Sequence, residues 1–183
     1  MEMSGPEKIT VRRAEPDDYE ALHKIFSGRQ AIEGTLQLPL PSGEVWRRRL
    51  SEPSEATHQL VACVEGEVVG ELTLWTYPAG WRRRHVGRIG MAVRDDRQGK
   101  GVGTALMEAA LDLADNWLDL ARIELQVFTD NQAGIALYEK FGFEKEGRHR
   151  CFAFRDGQYV DAYSMARIKW PPSGTATSRQ LGE

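Results

Sequence analysis

Three glycines occupy alternate positions, Gly99, Gly101 and Gly103, directly before a long helical pattern of apolar residues. The first turn of a helix presents backbone amides that have no partner within the helix, together with the positive end of the helix dipole. Glycine leaves those amides uncovered, and a bound phosphate can accept hydrogen bonds from several of them at once. The residues therefore indicate an anion site whose geometry suits a pyrophosphate.

A glycine run at a helix start also has a plainer explanation, because it can mark a tight turn or close packing. Two familiar phosphate sites do not fit the spacing. A P-loop needs Lys and then Ser or Thr after its last glycine, but Lys100 lies between the glycines and Thr104 follows Gly103 directly. A dinucleotide-binding fingerprint needs a parallel unit near the start of the chain, whereas this run follows several predicted strands.

The elements that must position this run follow from the periodicity of the apolar residues. Strands are predicted over residues 9–14, 58–64, 68–77, 85–93 and 122–128, and a final strand pair surrounds a turn at 156–157. Helices are predicted over 16–26, 45–50, 102–117 and 131–142, the last closed by Gly142. Residues 31–42, which contain two prolines and one glycine, are expected to form an ordered and unusually apolar loop.

The composition suits one compact domain. A chain of 183 residues, 41% of them apolar, can bury about two-thirds of its unfolded surface. The net charge of -3 offers no basic surface to nucleic acid. Cys63 and Cys151 are too few for a disulfide framework, and no metal-binding spacing accompanies them. Because no signal or membrane-spanning pattern is seen, we expect a cytoplasmic protein with disordered ends at residues 1–7 and 171–183.

Residues 98–103, QGKGVG, resemble the Q/R-x-x-G-x-G/A motif of the GNAT superfamily of N-acetyltransferases. Further along, NQAGIALYEKFGF resembles the second signature of that family, in which Asn131 and Tyr138 precede a Gly-Phe pair. Together the two motifs imply a single GNAT-like α/β domain over residues 8–169. Its expected architecture is a central, mixed, mostly antiparallel twisted sheet of about six or seven strands, flanked by about four helices.

The resemblance implies acetyl-CoA as co-substrate, with no metal. Its pyrophosphate would lie at the helix start, which consists of Gln98, Gly99, Lys100, Gly101, Val102, Gly103 and Thr104. The pantetheine arm would follow the strand RIGMAV and bind the backbone of Met91 and Val93, where Gly90 is compatible with a β-bulge. Asn131 would cap its helix and contact the same arm.

Tyr138 resembles the general acid of the family, which protonates the departing thiolate of CoA. From its position alone, Tyr138 is a packing aromatic on a helix. The strand RIGMAV contains no carboxylate to serve as general base. Glu71 on the neighbouring predicted strand is our candidate, against the alternative of an exposed Glu at a sheet edge. His85 and Tyr163 are lesser candidates, and an amine that loses its proton to water needs no base.

Three further segments, residues 35–42, 117–128 and 160–168, resemble a bacterial branch described as L-amino acid N-acyltransferases. The implied reaction is direct attack by the α-amino group of a neutral or aromatic L-amino acid in a ternary complex. Phosphinothricin or methionine sulfoximine acetyltransferases share much of this architecture and remain an alternative. Protein N-terminal acetylation and a non-catalytic acyl-CoA sensor are further alternatives.

The acceptor pocket is expected to form between residues 32–40 and the ends of the first hairpin, near Trp75, Tyr77 and Trp81. The carboxylate of a free amino acid also needs a partner. An arginine of the cluster at residues 82–84 could bind it through two hydrogen bonds, although such a cluster can equally be a solvated loop. The C-terminal hairpin is a candidate contact in a homodimer.

Overall fold

A computed structural model of the chain describes residues 8–52, 54–77 and 82–169. Within them, the strands are β1 (Ile9–Arg13), β2 (Thr57–Val64), β3 (Glu67–Thr76), β4 (Val86–Val93), β5 (Arg122–Phe128), β6 (Glu144–Arg155) and β7 (Gln158–Ile168). The α-helices are α1 (Tyr19–Phe26), α2 (Arg29–Gly34), α3 (Gly43–Ser51), α4 (Val102–Asn116) and α5 (Gln132–Lys140).

The seven strands form one sheet in the order β1-β2-β3-β4-β5-β7-β6. All neighbours are antiparallel except β4 and β5, which are parallel. The predicted mixed, mostly antiparallel α/β domain is therefore confirmed. One element differs from the prediction, because the first part of the expected loop at residues 31–42 belongs to the short helix α2, whose Ala31 is buried in the core.

Helices cover both faces of the sheet and create two hydrophobic clusters. On one face, Leu106 of α4 and Ile135 of α5 pack with residues of the central strands. On the other face, Leu22 of α1 and Trp46 of α3 pack with residues of β2, β3 and β4. The sheet is consequently the only layer between the glycine-rich start of α4 and the helices α1 and α3 among the residues that the structure describes.

Strand β3 contributes to both layers because successive side chains of a strand point to opposite faces. Its Leu72 and Leu74 are fully buried in the cluster beneath α4. Glu71 and Thr73 alternate with them and therefore point towards α1 and α3. They are buried polar residues, so this face of the sheet carries polar chemistry next to an apolar cluster.

The parallel pair of β4 and β5 is unusually short. The two strands pair only from Val86 to Arg88 and from Arg122 to Glu124, although both strands continue well beyond these positions. At the end of the paired region, Arg88 Nη2 donates a hydrogen bond of 3.0 Å to Gln126 Oε1. Beyond this point the strands separate, and the centre of the sheet is open.

The backbone of β4 faces this opening at two of the predicted positions. Arg94 N donates to Val69 O at 2.8 Å, and β3 and β4 keep a regular register from there on. Because paired residues of antiparallel strands alternate between bonded and non-bonded pairs, Met91 and Val93 direct their N–H and C=O groups away from β3. The amide orientation expected for a pantetheine site is thus present.

The bulge considered at Gly90 is not present, since β3 and β4 pair there without a shift. Gly90 has a packing role instead, because a Cβ atom at this position would lie 3.2 Å from two atoms of the Trp75 ring. Gly70 has a similar role on the other face. A Cβ atom there would lie 2.7 Å from Val102 Cγ1 and 3.1 Å from Leu106 Cδ1.

We expect Gly70→Ala to lower the free energy of unfolding by about 1–3 kcal/mol, because its methyl group must displace the first turn of α4. Gly147→Ala is the matched control, since a Cβ atom at Gly147 meets nothing within 4 Å. Urea unfolding of both variants measures the difference. Equal stability of the two variants would contradict close packing between Gly70 and α4.

Candidate active site

The separation of β4 and β5 opens a cleft of about 670 Å³. It is lined by residues of β4, β5 and α5 on one side and by β2, β3, α1, α3 and the segment after α2 on the other. Four residues predicted from the sequence meet there: Glu71, Met91, Asn131 and Tyr138. The cleft therefore brings together the proposed acid, the proposed base and two proposed contacts of the pantetheine arm.

Glycine is needed at the start of α4 for two different structural reasons. Gly99 and Gly101 adopt positive φ values of 70° and 86°, a conformation that glycine takes readily and other residues rarely do. Gly103 lies beside α5, and a Cβ atom there would be 3.0 Å from Leu137 Cδ2. Both parts of the plainer explanation thus apply, since two glycines shape the turn and one permits close helix packing.

The other residues of the turn differ in what they can offer a ligand. Gln98 is exposed and its Nε2 donates to Val93 O at 3.3 Å, which ties the turn to β4. Lys100 is exposed, and Thr104 is half-buried in the first turn of α4. The side chain of Val102 is only 2% exposed, so it can contribute its backbone amide alone. The side chains that can contact a bound anion here are therefore those of Gln98, Lys100 and Thr104.

Met91 and Val93 keep their side chains away from the opening. Both side chains pack partly buried against the cluster beneath α4. Their backbone groups face the gap between β4 and β5, as derived above. This division agrees with the sequence prediction, in which the strand was expected to bind through its backbone and to place its side chains in the core.

Asn131 and Tyr138 hold the α5 side of the cleft. Asn131 Oδ1 accepts a hydrogen bond of 2.9 Å from Gly134 N, so it is the N-cap of α5 and lines the cleft as well. Tyr138 is buried against Phe143, with ring centroids 5.9 Å apart. Burial raises the pKa of Tyr138 to about 12, so the hydroxyl keeps its proton at neutral pH.

Glu71 is buried in the opposite wall and is 3% exposed, which excludes the exposed edge position considered above. Thr73 Oγ1 donates a short hydrogen bond to Glu71 Oε1. Burial raises the pKa of Glu71 to about 7, while hydrogen bonds from Thr73 and Gln59 and the positive charge of Arg49 act against this rise. A carboxyl group with this pKa can take up a proton near neutral pH.

The two lesser candidates for the base lie elsewhere. His85 is exposed, and its backbone carbonyl accepts from the amides of Ala121 and Arg122. Tyr163 is half-buried on β7, with Lys145 Nζ 5.3 Å from its ring centroid. Neither residue lines the cleft described above.

The structure does not place the predicted arginine cluster in the cleft. Arg83 Nη2 contacts Glu124 Oε1 at 2.7 Å, and the Arg83 guanidinium lies 4.9 Å from the ring centroid of Tyr77. The arginines that line the cleft within the described residues are Arg48, Arg49 and Arg88. Trp75 lines it as expected, whereas Trp81 lies outside the described residues.

Sequence reasoning missed several other residues that line the cleft, among them Phe26, Trp46, Arg49, Gln59 and Thr73. One signal was available, because Glu71, Thr73 and Trp75 alternate along one strand and must share a face. Gln59 could not be found in this way, since its position opposite Thr73 depends on the register of β2 against β3.

Comparison with known proteins agrees with this geometry. Residues 20–143 match the model of the Acetyltransferase (GNAT) family. The chain is 44% identical over 162 residues, 88% of its length and 99% of the relative, to the L-amino acid N-acetyltransferase AaaT of Escherichia coli K12. It is 30% identical to an N-alpha-acetyltransferase of Saccharolobus solfataricus, over 91% of this chain and 99% of that protein.

The same fold occurs in a phosphinothricin acetyltransferase from Sinorhizobium meliloti, solved in complex with AcCoA. Its TM-score is 0.79 at 24% identity, with 95% of this chain and 94% of that chain covered. The chain belongs to the GNAT family and is an N-acetyltransferase that uses acetyl-CoA.

Two features are absent from the residues that the structure describes. None of the helices there is long and apolar enough to cross a membrane. Groups of three or more His, Cys, Asp or Glu residues that could hold a metal ion are also not found in that part of the chain.

We expect Glu71→Gln to lower kcat by about 100-fold or more and to abolish a rise of kcat/KM with pH near pH 7. The rise is expected because Glu71 must lose its proton before it can accept one from the amine. Thr73→Val should move the rise to higher pH by on the order of one unit, since the hydrogen bond favours the charged carboxylate.

Thr73→Ser is the matched control, because it keeps the hydroxyl donor and should restore the wild-type profile. The measurement is kcat/KM against pH for all four proteins. An unchanged rise in Glu71→Gln would assign the titrating group to another residue or to the amine itself.

Proposed function

We propose that the protein transfers the acetyl group of acetyl-CoA to the α-amino group of a neutral or aromatic L-amino acid. The observation that carries this proposal is that Glu71 and Tyr138 line one cleft, together with Met91 and Asn131. The relative that is 44% identical is named an L-amino acid N-acetyltransferase, which supports the choice of acceptor.

The proposed acceptor side is the wall that carries Glu71. Phe26 and Trp46 provide an aromatic surface there, with ring centroids 4.3 Å apart and planes at 17°. Such a surface suits the side chain of an aromatic or aliphatic amino acid. Glu71 and Thr73 line the same cleft, and their polar side chains suit an amine.

In the proposed reaction, Glu71 takes a proton from the ammonium group, so that the nitrogen lone pair becomes available to attack the thioester carbonyl carbon. The Met91 amide, which faces the gap, is placed to donate to the carbonyl oxygen as negative charge develops on it. The carbon–sulfur bond then breaks as the carbonyl re-forms, and the Tyr138 hydroxyl protonates the departing thiolate. The second proton, which the new amide nitrogen loses, returns to the Tyr138 oxygen. The products are an N-acetyl amino acid and CoA.

The glycine-rich turn has a separate task in this proposal. The exposed side chains of Gln98 and Lys100, and the first amides of α4, would hold the pyrophosphate outside the cleft. Met91, Val93 and Asn131 would hold the arm that leads from it to the reacting carbon. Binding and chemistry therefore use different residues and can be separated by substitution.

The proposal is tested by release of CoA thiol from acetyl-CoA with a panel of acceptors. The panel contains the twenty amino acids, phosphinothricin, methionine sulfoximine, polyamines and N-terminal peptides. We expect the highest kcat/KM with a neutral or aromatic free amino acid. Preference for phosphinothricin or for peptides would replace the acceptor in this proposal, and binding of acetyl-CoA without turnover of any acceptor would indicate a sensor.

Tyr138→Phe is expected to lower kcat by about 100-fold, because it removes the donor to the thiolate. The dissociation constant of acetyl-CoA, measured by calorimetry, should stay nearly unchanged. Tyr163→Phe serves as control, since it removes a tyrosine hydroxyl that does not line the cleft. If Tyr138→Phe retains full turnover, its hydroxyl has no part in the reaction.

We further propose a homodimer that forms through the hairpin of β6 and β7. Phe154 and Tyr159 are 67% and 70% exposed and pack edge to face at 5.2 Å. Exposed aromatic pairs of this kind commonly mark contact surfaces, and β6 is the last strand of the sheet.

The double substitution Phe154→Ser, Tyr159→Ser should shift the mass measured by light scattering from dimer to monomer. Trp117→Ser is the control, because Trp117 is also strongly exposed but lies at the end of α4. A monomeric wild-type protein at micromolar concentration would refute the dimer.

A further inference from the structure

Helix α3 carries three consecutive arginines, and they have different surroundings. Arg47 faces away from the cleft and pairs with Glu44, with Nε 2.8 Å from Oε2. Arg48 and Arg49 both line the cleft. The helix therefore offers positive charge to the cleft from the side opposite the glycine-rich start of α4. This part of the chain lies outside the two family motifs.

Arg49 is held in a defined place. Its guanidinium lies 4.8 Å from the ring centroid of Trp46. Trp46 is itself buried and stacks on Phe26, with ring centroids 4.3 Å apart. Because a guanidinium over an aromatic face is stabilised by the ring, the stack of Phe26, Trp46 and Arg49 forms one wall with an apolar part and a charged end.

The charge of Arg49 also reaches Glu71, whose pKa it lowers against the effect of burial. Arg49 and Glu71 line the same cleft from α3 and β3. Arg88, another cleft arginine, is placed differently, because it donates to Gln126 at the point where β4 and β5 separate. Arg49 is exposed, but it is the cleft arginine that stacks on Trp46 and whose charge acts on Glu71.

A free α-amino acid carries its amine and its carboxylate on the same carbon atom. When the amine lies at Glu71, the carboxylate must lie only a few ångströms away, within the same cleft. A carboxylate there loses hydration and needs a cation with hydrogen-bond donors, and a guanidinium can supply two parallel hydrogen bonds.

We infer that Arg49 binds the α-carboxylate of the acceptor, while Glu71 receives its amine and the stacked rings of Phe26 and Trp46 contact its side chain. This inference rests on the proposed function and narrows its substrate class to free α-amino acids. Simple amines and peptide N-termini lack a carboxylate at this position and gain nothing from Arg49. Arg49 of helix α3 thus replaces the cluster at residues 82–84 as the proposed partner of the carboxylate.

The experiment compares phenylalanine with phenylalaninamide, which lacks the carboxylate charge. Wild-type protein should have the lower KM for phenylalanine. Arg49→Gln should raise the KM for phenylalanine by about 10- to 100-fold, the value of a charged hydrogen-bonded contact, and leave the KM for the amide and for acetyl-CoA nearly unchanged. Arg49→Lys keeps the charge without the planar donor pair and should give an intermediate KM.

Arg47→Gln is the matched control, because it removes an arginine from the same helix that pairs outside the cleft. Its KM values should equal those of the wild type. An equal loss for phenylalanine and its amide in Arg49→Gln would overturn the inference, since it would show that Arg49 supports the wall rather than the carboxylate. An unchanged KM for phenylalanine would overturn it as well.

Failure of the proposed function has a different signature. In that case the wild-type protein turns over no free amino acid. The proposed function and the inference about Arg49 then both fall. If the wild type acetylates amino acids and the ratio of KM values for acid and amide does not respond to Arg49, only the inference about Arg49 falls.

Discussion

Strands β4 and β5 pair in parallel at three positions and then separate, and the function depends on this separation. A continuous sheet would pair the backbone of Met91 and Val93 with β5 and leave no cleft. Because polar backbone groups in a protein interior need partners, an open pair of strands is a site that a ligand can complete. Arg88 and Gln126 close the paired end with a hydrogen bond, so the opening begins at a defined place. In the proposed reaction, the acetyl donor and the acceptor amine meet in this opening from different sides of the sheet.

Close packing between the sheet and α4 fixes the glycine-rich turn at the start of α4 relative to this opening. The absence of a side chain at Gly70 lets Val102 approach β3, and Gly103 lets α4 approach Leu137 of α5. Gly99 and Gly101 supply the positive φ values with which the chain turns into the helix. The first amides of α4 are therefore positioned by the core and not by the ligand. A pre-positioned set of amides binds an anion without the cost of ordering a loop at that moment.

The sequence predicted those features that depend on local patterns. The strands, the long helix α4 and the cap of α5 at Asn131 followed from periodicity or from the two motifs. Glu71 was a candidate base, and the strand pattern did not decide between a cleft position and an exposed edge. Register and long-range packing carry no such signal, which is why the contact of Gln59 with Glu71 was missed. For the same reason the sequence indicated the arginines at residues 82–84 as carboxylate partner and did not indicate Arg49, because the position of α3 at the cleft has no local signal.

The pKa values of the two groups that transfer protons in the proposed reaction are shifted by one cause, the burial of Glu71 and Tyr138. Burial raises the pKa of Glu71 to about 7, so the carboxylate is a stronger base than an exposed one and is still largely charged slightly above neutral pH. Burial also raises the pKa of Tyr138 to about 12, above the value of about 8.5 for an ordinary thiol. Tyr138 alone would therefore be a weak donor to a hydrated thiolate. A thiolate that forms inside the same cleft is destabilised by the same loss of hydration, so its proton affinity rises with that of the tyrosine. Exclusion of water consequently strengthens Glu71 as a base, and Tyr138 can still protonate a thiolate whose own pKa is raised in the same cleft.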